Sequence, residues 1–152
     1  MKRIIFVFLA TIFLFSCAND TVYKEYRKFD NLNWDRFNIL NFNVNVEKGQ
    51  SLDFDLLLRH HTNYPYNFLD ANITFYTPAG ATLSRDYHFD LKDKKGKWKA
   101  DGLGDYWDME LPIRKGMRIS KAGIMKVRVE NKMTKINTPG IMEIGLKASL
   151  SN

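Results

Sequence analysis

The chain has 152 residues, a formal net charge of +6, 14% aromatic residues and a single cysteine. This length fits one domain preceded by a targeting segment. One cysteine excludes an internal disulfide framework and any zinc site built from several thiolates, and so many aromatic residues exclude a disordered chain.

The N-terminus has the pattern of a secretory signal. Lys2 and Arg3 precede an apolar run of about a dozen residues, which is shorter than the roughly 20 that a membrane-spanning helix needs. A positive start, an apolar middle and a small residue at the break are typical of a signal that is cleaved after export. The sequence therefore predicts a lipoprotein signal peptide over residues 1–16.

The single cysteine lies where a bacterial lipoprotein signal would place it. Leu14-Phe15-Ser16-Cys17 resembles the lipobox, in which the cysteine is acylated and becomes the first mature residue. Acyl chains anchor a protein by about 0.8 kcal/mol per buried methylene, so Cys17 is predicted to hold the chain on a membrane. The alternative is that Cys17 is an apolar residue beside a conventional cleavage site.

Removal of the signal changes the charge and suggests a location. Loss of Lys2 and Arg3 lowers Lys+Arg from 23 to 21 against 17 acids, which leaves 136 residues with a net charge of +4. No block of five or six like charges occurs, so an exported chain of this kind is not expected to bind nucleic acid. Ala18, rather than an aspartate that would retain the protein at the inner membrane, follows Cys17. This favours the outer membrane and its periplasmic face.

Residues 17–33 are polar with spaced aromatic residues, and we expect them to form a lipidated tether. Tyr23, Tyr26 and Phe29 indicate that part of this tether docks on the fold.

From residue 34 onward, apolar residues recur at every second position, which is the period of a half-buried strand. The runs are Leu40, Phe42, Val44 and Val46; Leu52, Phe54, Leu56 and Leu58; Leu69, Ala71, Ile73 and Phe75; Tyr87, Phe89 and Leu91; Met125, Val127 and Val129; and Ile144, Leu146, Ala148 and Leu150. Residues 34–152 are therefore predicted to form an all-β domain, a single antiparallel and jelly-roll-like β-sandwich of about seven to nine strands.

The three histidines give little sign of catalysis or metal binding. Adjacent His60 and His61 in a strand point to opposite faces, and His88 stands apart. No nucleophile or zinc motif occurs, so we expect no cofactor, no metal and no enzymatic activity.

Asp101, Asp105, Asp108 and Glu110 form the densest group of acids. Two carboxyl groups at a set separation could hydrolyse a glycoside, and acids separated by glycines could bind calcium. The alternative is that all four are solvated loop acids.

Five aromatic residues are predicted to lie in or beside loops: Tyr64, Tyr66, Trp98, Tyr106 and Trp107. Exposed rings on a sandwich could stack against sugars, which makes a glycan-binding surface the alternative function. Core packing is the more common role of such residues in a small domain.

Three segments in the same order and at similar spacing resemble the GldH family of gliding-motility lipoproteins. Residues 58–69 (LRHHTNYPYNFL) resemble its Leu-Arg…Tyr-Pro-Tyr segment, and residues 96–106 (GKWKADGLGDY) resemble its Gly-Lys-Trp…Gly-x-Gly-Asp-Tyr segment. Residues 140–146 (GIMEIGL) resemble its closing strand.

The resemblance implies a lipid-anchored cell-envelope protein of the gliding-motility apparatus, in bacteria whose motility is tied to type IX secretion. It implies partners among other envelope, gliding or secretion proteins and a structural or assembly role without catalysis. The position that it transfers with a defined role is the lipidated Cys17.

Overall fold

The computed structural model describes residues 20–151. The predicted signal peptide, Cys17 and Asn152 lie outside the described residues. Within residues 20–151, no helix has the length and apolar character that crossing a membrane requires.

The secondary structure of the described residues consists of eleven β-strands. They are β1 (Thr21–Lys28), β2 (Asn33–Asp35), β3 (Leu40–Val46), β4 (Ser51–His61), β5 (Phe68–Tyr76), β6 (Thr82–Asp90), β7 (Asp101–Leu103), β8 (Tyr106–Arg118), β9 (Gly123–Asn131), β10 (Asn137–Pro139) and β11 (Ile141–Leu150). Three of them, β2, β7 and β10, have three residues each, and the other eight are long strands.

Two antiparallel sheets face each other across one apolar core. The five-strand sheet has the order β1-β11-β4-β8-β7, the four-strand sheet has the order β3-β9-β5-β6, and β10 pairs with β2 in a short ribbon. The prediction of an all-β sandwich is thus confirmed.

The alternation in the sequence sets which side chains reach the core. In β3, Leu40, Phe42 and Val44 are buried, whereas Asn41 and Asn43 between them are exposed. Successive side chains of a strand point to opposite faces, so the apolar half of each long strand meets the apolar half of the opposite sheet.

Strand β1 begins earlier than the predicted domain boundary at residue 34. Thr21–Lys28 pairs along β11, and buried Phe29 stacks on the indole ring of Trp34 at 6.0 Å between ring centroids. Pairing with β1 satisfies backbone groups of β11 that would otherwise form an exposed edge. Thr21–Phe29, expected in the tether, therefore pack against and pair with the strands of the sandwich.

Both ends of the described chain lie at one end of the sandwich, which we call the proximal end. There the Leu150 amide donates to the Asp20 carbonyl at 2.8 Å, and the Ser151 amide donates to the Ser51 carbonyl at 2.9 Å. Ser51 in turn pairs with Arg118 at the end of β8. The proximal end also carries the loops 47–50, 77–81 and 119–122. The opposite, distal end carries the loops 62–67, 91–100 and 132–136.

Candidate functional site

Tyr64, at the distal end, is a core residue. Its side chain is 3% exposed, and its hydroxyl donates to the Phe68 carbonyl at 2.9 Å. Burial raises the pKa of that hydroxyl, so it remains a donor. A Cβ at Gly140 would lie 2.9 Å from the Tyr64 Cα, and Gly140 has a φ of +87°, so both contact and conformation require glycine there. Tyr64 is not placed to stack on a ligand in solvent.

Trp98 is half-buried between a histidine and a lysine. Its ring centroid lies 4.3 Å from that of His60 and 4.1 Å from the Lys92 ammonium, a cation–π contact. His60 is fully buried, and its Nδ1 lies 3.0 Å from the His61 carbonyl, to which it donates. The Nε2 atom has no hydrogen-bond partner among residues 20–151. Burial lowers the pKa of His60 because it disfavours the charged imidazolium.

Tyr106 and Trp107 are neighbours in β8 and therefore point to opposite faces. The Trp107 Nε1 donates to the Thr62 hydroxyl at 3.1 Å. Tyr106 is 39% exposed, and its ring centroid lies 5.6 Å from that of His61 in an edge-to-face arrangement. Tyr66 is half-buried, with its ring 5.6 Å from that of Tyr64. The structure thus divides the five candidate aromatic residues between the core and separate faces rather than joining them in one platform.

The outer face of the five-strand sheet carries a network of ion pairs centred on Arg59. The Arg59 Nε lies 2.7 Å from Asp108 Oδ1, and Nη1 lies 2.7 Å from Glu143 Oε2. The hydrogen bond to Asp108 raises the pKa of Arg59 above its ordinary value. The guanidinium therefore ties β4 to both of its neighbours, β8 and β11.

Two of the four candidate acids belong to ion pairs on this face. Asp108 pairs with Arg59, and the Glu110 carboxylate accepts from the Lys147 ammonium at 2.7 Å. The Asp105 backbone carbonyl accepts from the Thr62 amide at 2.8 Å. Across residues 20–151 no three histidine, cysteine or acidic side chains are grouped so as to hold a metal ion.

Beside these ion pairs is a depression of about 750 Å³. Its lining includes Lys24, Tyr26, Arg59, Asp101, Asp108 and Glu110. This charged face could not be predicted from the sequence alone, although Leu52, Phe54, Leu56 and Leu58 of β4 recur at every second position. Because Arg59 follows the inward-facing Leu58 in β4, its side chain must lie on the solvent side of the sheet. The sequence does not reveal which acids of the neighbouring strands pair with it.

Large apolar residues are exposed at the distal end. Phe37 is 76% exposed, Ile136 55% and Leu103 90%. The Arg36 amide donates to the Ile136 carbonyl at 2.7 Å, which brings the segments carrying Phe37 and Ile136 side by side. Exposed apolar residues that lie together are typical of surfaces that contact other proteins.

Two comparisons place the chain among known proteins. The family model described as GldH lipoprotein matches residues 21–148. The gliding motility lipoprotein GldH of Flavobacterium johnsoniae is 25% identical over 123 residues, which are 80% of this chain and 76% of that protein.

Among solved structures, the infectious bursal disease virus VP2 subviral particle is similar over 86% of this chain, with a TM-score of 0.42 and 17% identity. The structure of the Gx strain of that virus gives a TM-score of 0.35 and 14% identity over 87% of this chain. This chain spans about a third of the length of those viral chains.

Proposed function

Because this chain belongs to the GldH lipoprotein family, we propose that it is acylated at Cys17 and anchored by that lipid in the cell envelope. It is a gliding-motility lipoprotein, and its proposed role is that of a non-enzymatic assembly factor of the motility apparatus, linked to type IX secretion. The proposed location is the periplasmic face of the outer membrane.

The short length of chain between Cys17 and the folded domain is the observation that best supports this proposal. Asp20 is already held by the Leu150 amide, and three residues of extended chain reach about 11 Å at most. An acyl group on Cys17 would therefore hold the proximal end of the sandwich against the membrane and direct the distal end away from it.

The exposed apolar residues of the distal end support an assembly role. Phe37 and Ile136 would face the periplasm, where an envelope protein could cover them. Buried apolar area contributes about 25 cal/mol per Å², so covering these side chains would favour association. The ion pairs of Asp108 with Arg59 and of Glu110 with Lys147 support a structural use of these carboxylates.

The Cys17→Ala variant tests the anchor. We expect it to move from the membrane fraction to the soluble fraction, while its thermal unfolding midpoint matches that of the mature wild-type domain. An Ala18→Ser variant, which leaves the cysteine in place, is the matched control and should stay with the membrane. If mass spectrometry shows that residues 1–16 have been removed, retention of the Cys17→Ala chain on membranes after high-salt and carbonate washes would contradict acyl anchoring.

Photocrosslinking in intact envelopes tests the assembly role. A photoreactive amino acid in place of Phe37 or Ile136 should crosslink to envelope proteins, and Asn43, exposed on the outer face of the four-strand sheet, is the control position. Phe37→Asp and Ile136→Asp variants should lose gliding and reduce type IX secretion while keeping the membrane anchor. Equal crosslinking at Asn43, or normal gliding and secretion in both variants, would count against the assembly role.

A further inference from the structure

A groove runs along the side of the sandwich where β6 of one sheet faces β8 of the other. Among the described strands, β6 pairs with β5 alone, and β8 beyond Asp108 pairs with β4 alone. Two cavities of about 420 Å³ and about 340 Å³ lie here. They share Leu83, Arg114 and Met117 and so form one groove, of the size that small-molecule sites usually have.

The floor of this groove is apolar. It includes Ile73, Phe75, Met117, Ile119 and Met125. Leu83 pairs with buried Phe75 and so lies on the inner side of β6, yet it is 43% exposed. An unbranched apolar chain could cover Leu83, and the flexible side chains of Met117 and Met125 adapt well to such ligands.

The rim of the groove is positively charged. Its lining includes Arg85, Arg114, Arg118 and Lys121 and no acidic residue. None of these four forms an ion pair with a carboxylate of residues 20–151. Lys115, also near the end of β8, differs because its ammonium is shared between Asp53 and Asp55. The groove therefore combines an apolar floor with cations that no carboxylate of the described residues neutralises.

The groove lies at the proximal end, close to the proposed anchor. Strand order places Thr21 in β1 and Arg118 in β8 with β11 and β4 between them. Three strand spacings correspond to about 14 Å. Because Cys17 can lie no more than about 11 Å from Asp20, the membrane surface would lie close to this end of the sandwich, and Arg118 and Lys121 would face its headgroup region.

We infer that this groove binds an anionic phospholipid of the membrane that anchors the protein. An acyl chain would lie along Leu83, Met117 and Met125, and the phosphate would accept hydrogen bonds from Arg114 and Arg118. Bonds of this charge-assisted kind are the stronger ones. The inference rests on the proposed function, because anchoring at Cys17 is what brings the groove to the membrane. Bound lipid would add a second attachment and fix how the sandwich stands on the surface.

The test uses the mature, acylated chain in phosphatidylcholine nanodiscs, with its methyl groups labelled for NMR. Phosphatidylglycerol carrying a spin label on its acyl chain should broaden the methyl signals of Met117, Met125 and Leu83. Spin-labelled phosphatidylcholine should leave them sharp, and Ile136 at the distal end should stay sharp with both lipids. Equal broadening by both lipids, or none by either, would overturn the inference.

Variants separate the groove from general surface charge. Arg118→Ser/Lys121→Ser should weaken phosphatidylglycerol binding about tenfold or more, since Arg118 donates one of the two proposed charge-assisted bonds to the phosphate and Lys121 adds positive charge at the rim. Lys94→Ser/Lys95→Ser, with the same change in charge but at the distal end, should bind like wild type. Leu83→Glu should also abolish binding, while Leu103→Glu, at another exposed leucine, should not. Equal effects of the two charge variants would contradict the inference.

Two further measurements keep this test distinct from that of the anchor. Mass spectrometry of the purified chain reports whether Cys17 carries acyl groups, so an unmodified cysteine refutes the proposed function by itself. Titration of the same chain with soluble dioctanoyl phosphatidylglycerol reports on the groove without requiring a bilayer. Glycerol phosphate, the headgroup without acyl chains, should not shift the Met117 or Met125 methyl signals. If it shifts them as strongly as the lipid does, the groove is an anion site and the lipid assignment is wrong.

Discussion

The indole ring of Trp107 fills the space that a side chain at Gly102 would need. The two residues are partners in the pairing of β7 with β8, and a Cβ at Gly102 would lie 2.4 Å from Trp107 Cε3 and 2.5 Å from Cζ3. Real Cβ atoms do not approach ring carbons so closely, so β7 can cover Trp107 only with glycine at this position. The hydrogen bond from Trp107 Nε1 to Thr62 then ties the same ring to the loop after β4.

The Gly102→Ala variant is expected to lift β7 from the indole ring. Overpacking of this kind costs about 1–3 kcal/mol, which urea unfolding would measure, and tryptophan fluorescence should shift as the Trp107 ring meets water. Gly104→Ala is the matched control, because φ is +64° there and the space is open. It should cost about 1–2 kcal/mol through conformation alone and leave the fluorescence unchanged. An unshifted spectrum in Gly102→Ala would show that the contact does not restrain β7.

Tyr64 is expected to contribute far more to stability than Tyr66, although both belong to one Tyr-Pro-Tyr segment. Tyr64→Ala should lower the free energy of unfolding by about 3–5 kcal/mol, as for other large buried aromatic residues. Tyr64→Phe should cost about 0.5–1.5 kcal/mol through the lost bond to Phe68. Tyr66→Phe is the control, because its hydroxyl makes no hydrogen bond within the described part of the chain, and it should be neutral. Similar losses for both phenylalanine variants would contradict this assignment.

The sequence could predict the elements whose signal is local. Alternation identified β3 and β4 because each residue's face depends only on its neighbours along the strand. The signal was weaker for β1, since Thr21–Lys28 is polar and its place depends on β11, more than a hundred residues away. For the same reason the groove could not be predicted, since its floor and rim come from β5, β6, β8, β9 and the loop 119–122. Burial of Tyr64 but not Tyr66 likewise depends on Gly140, which no local pattern reveals.

The ion pair between Arg59 and Glu143 is expected to stabilise the fold measurably, and more than the pair between Lys147 and Glu110. Double-mutant cycles with alanine should give a coupling energy of about 0.5–1 kcal/mol for the first pair and less for the second. The reason is exposure, since Glu143 is 16% exposed and Glu110 is 51% exposed. Both couplings should shrink as salt is added. Equal couplings for the two pairs would show that burial of Glu143 has no effect.

The buried imidazole of His60 should make the protein less stable in mild acid. Burial lowers the pKa of His60 in the folded state below its ordinary value of 6.5, so the unfolded chain takes up a proton there that the folded chain does not. The free energy of unfolding must then fall as pH decreases below about 6.5, by at most about 1.4 kcal/mol per pH unit.

Urea unfolding between neutral pH and pH 5 should show this slope, and His60→Leu should lose the contribution of His60. The matched control, His61→Leu, should retain this contribution, because it leaves the buried His60 in place. A slope that is the same in wild type and His60→Leu would show that His60 titrates alike in the folded and unfolded chains, against the effect expected of its burial beside Trp98.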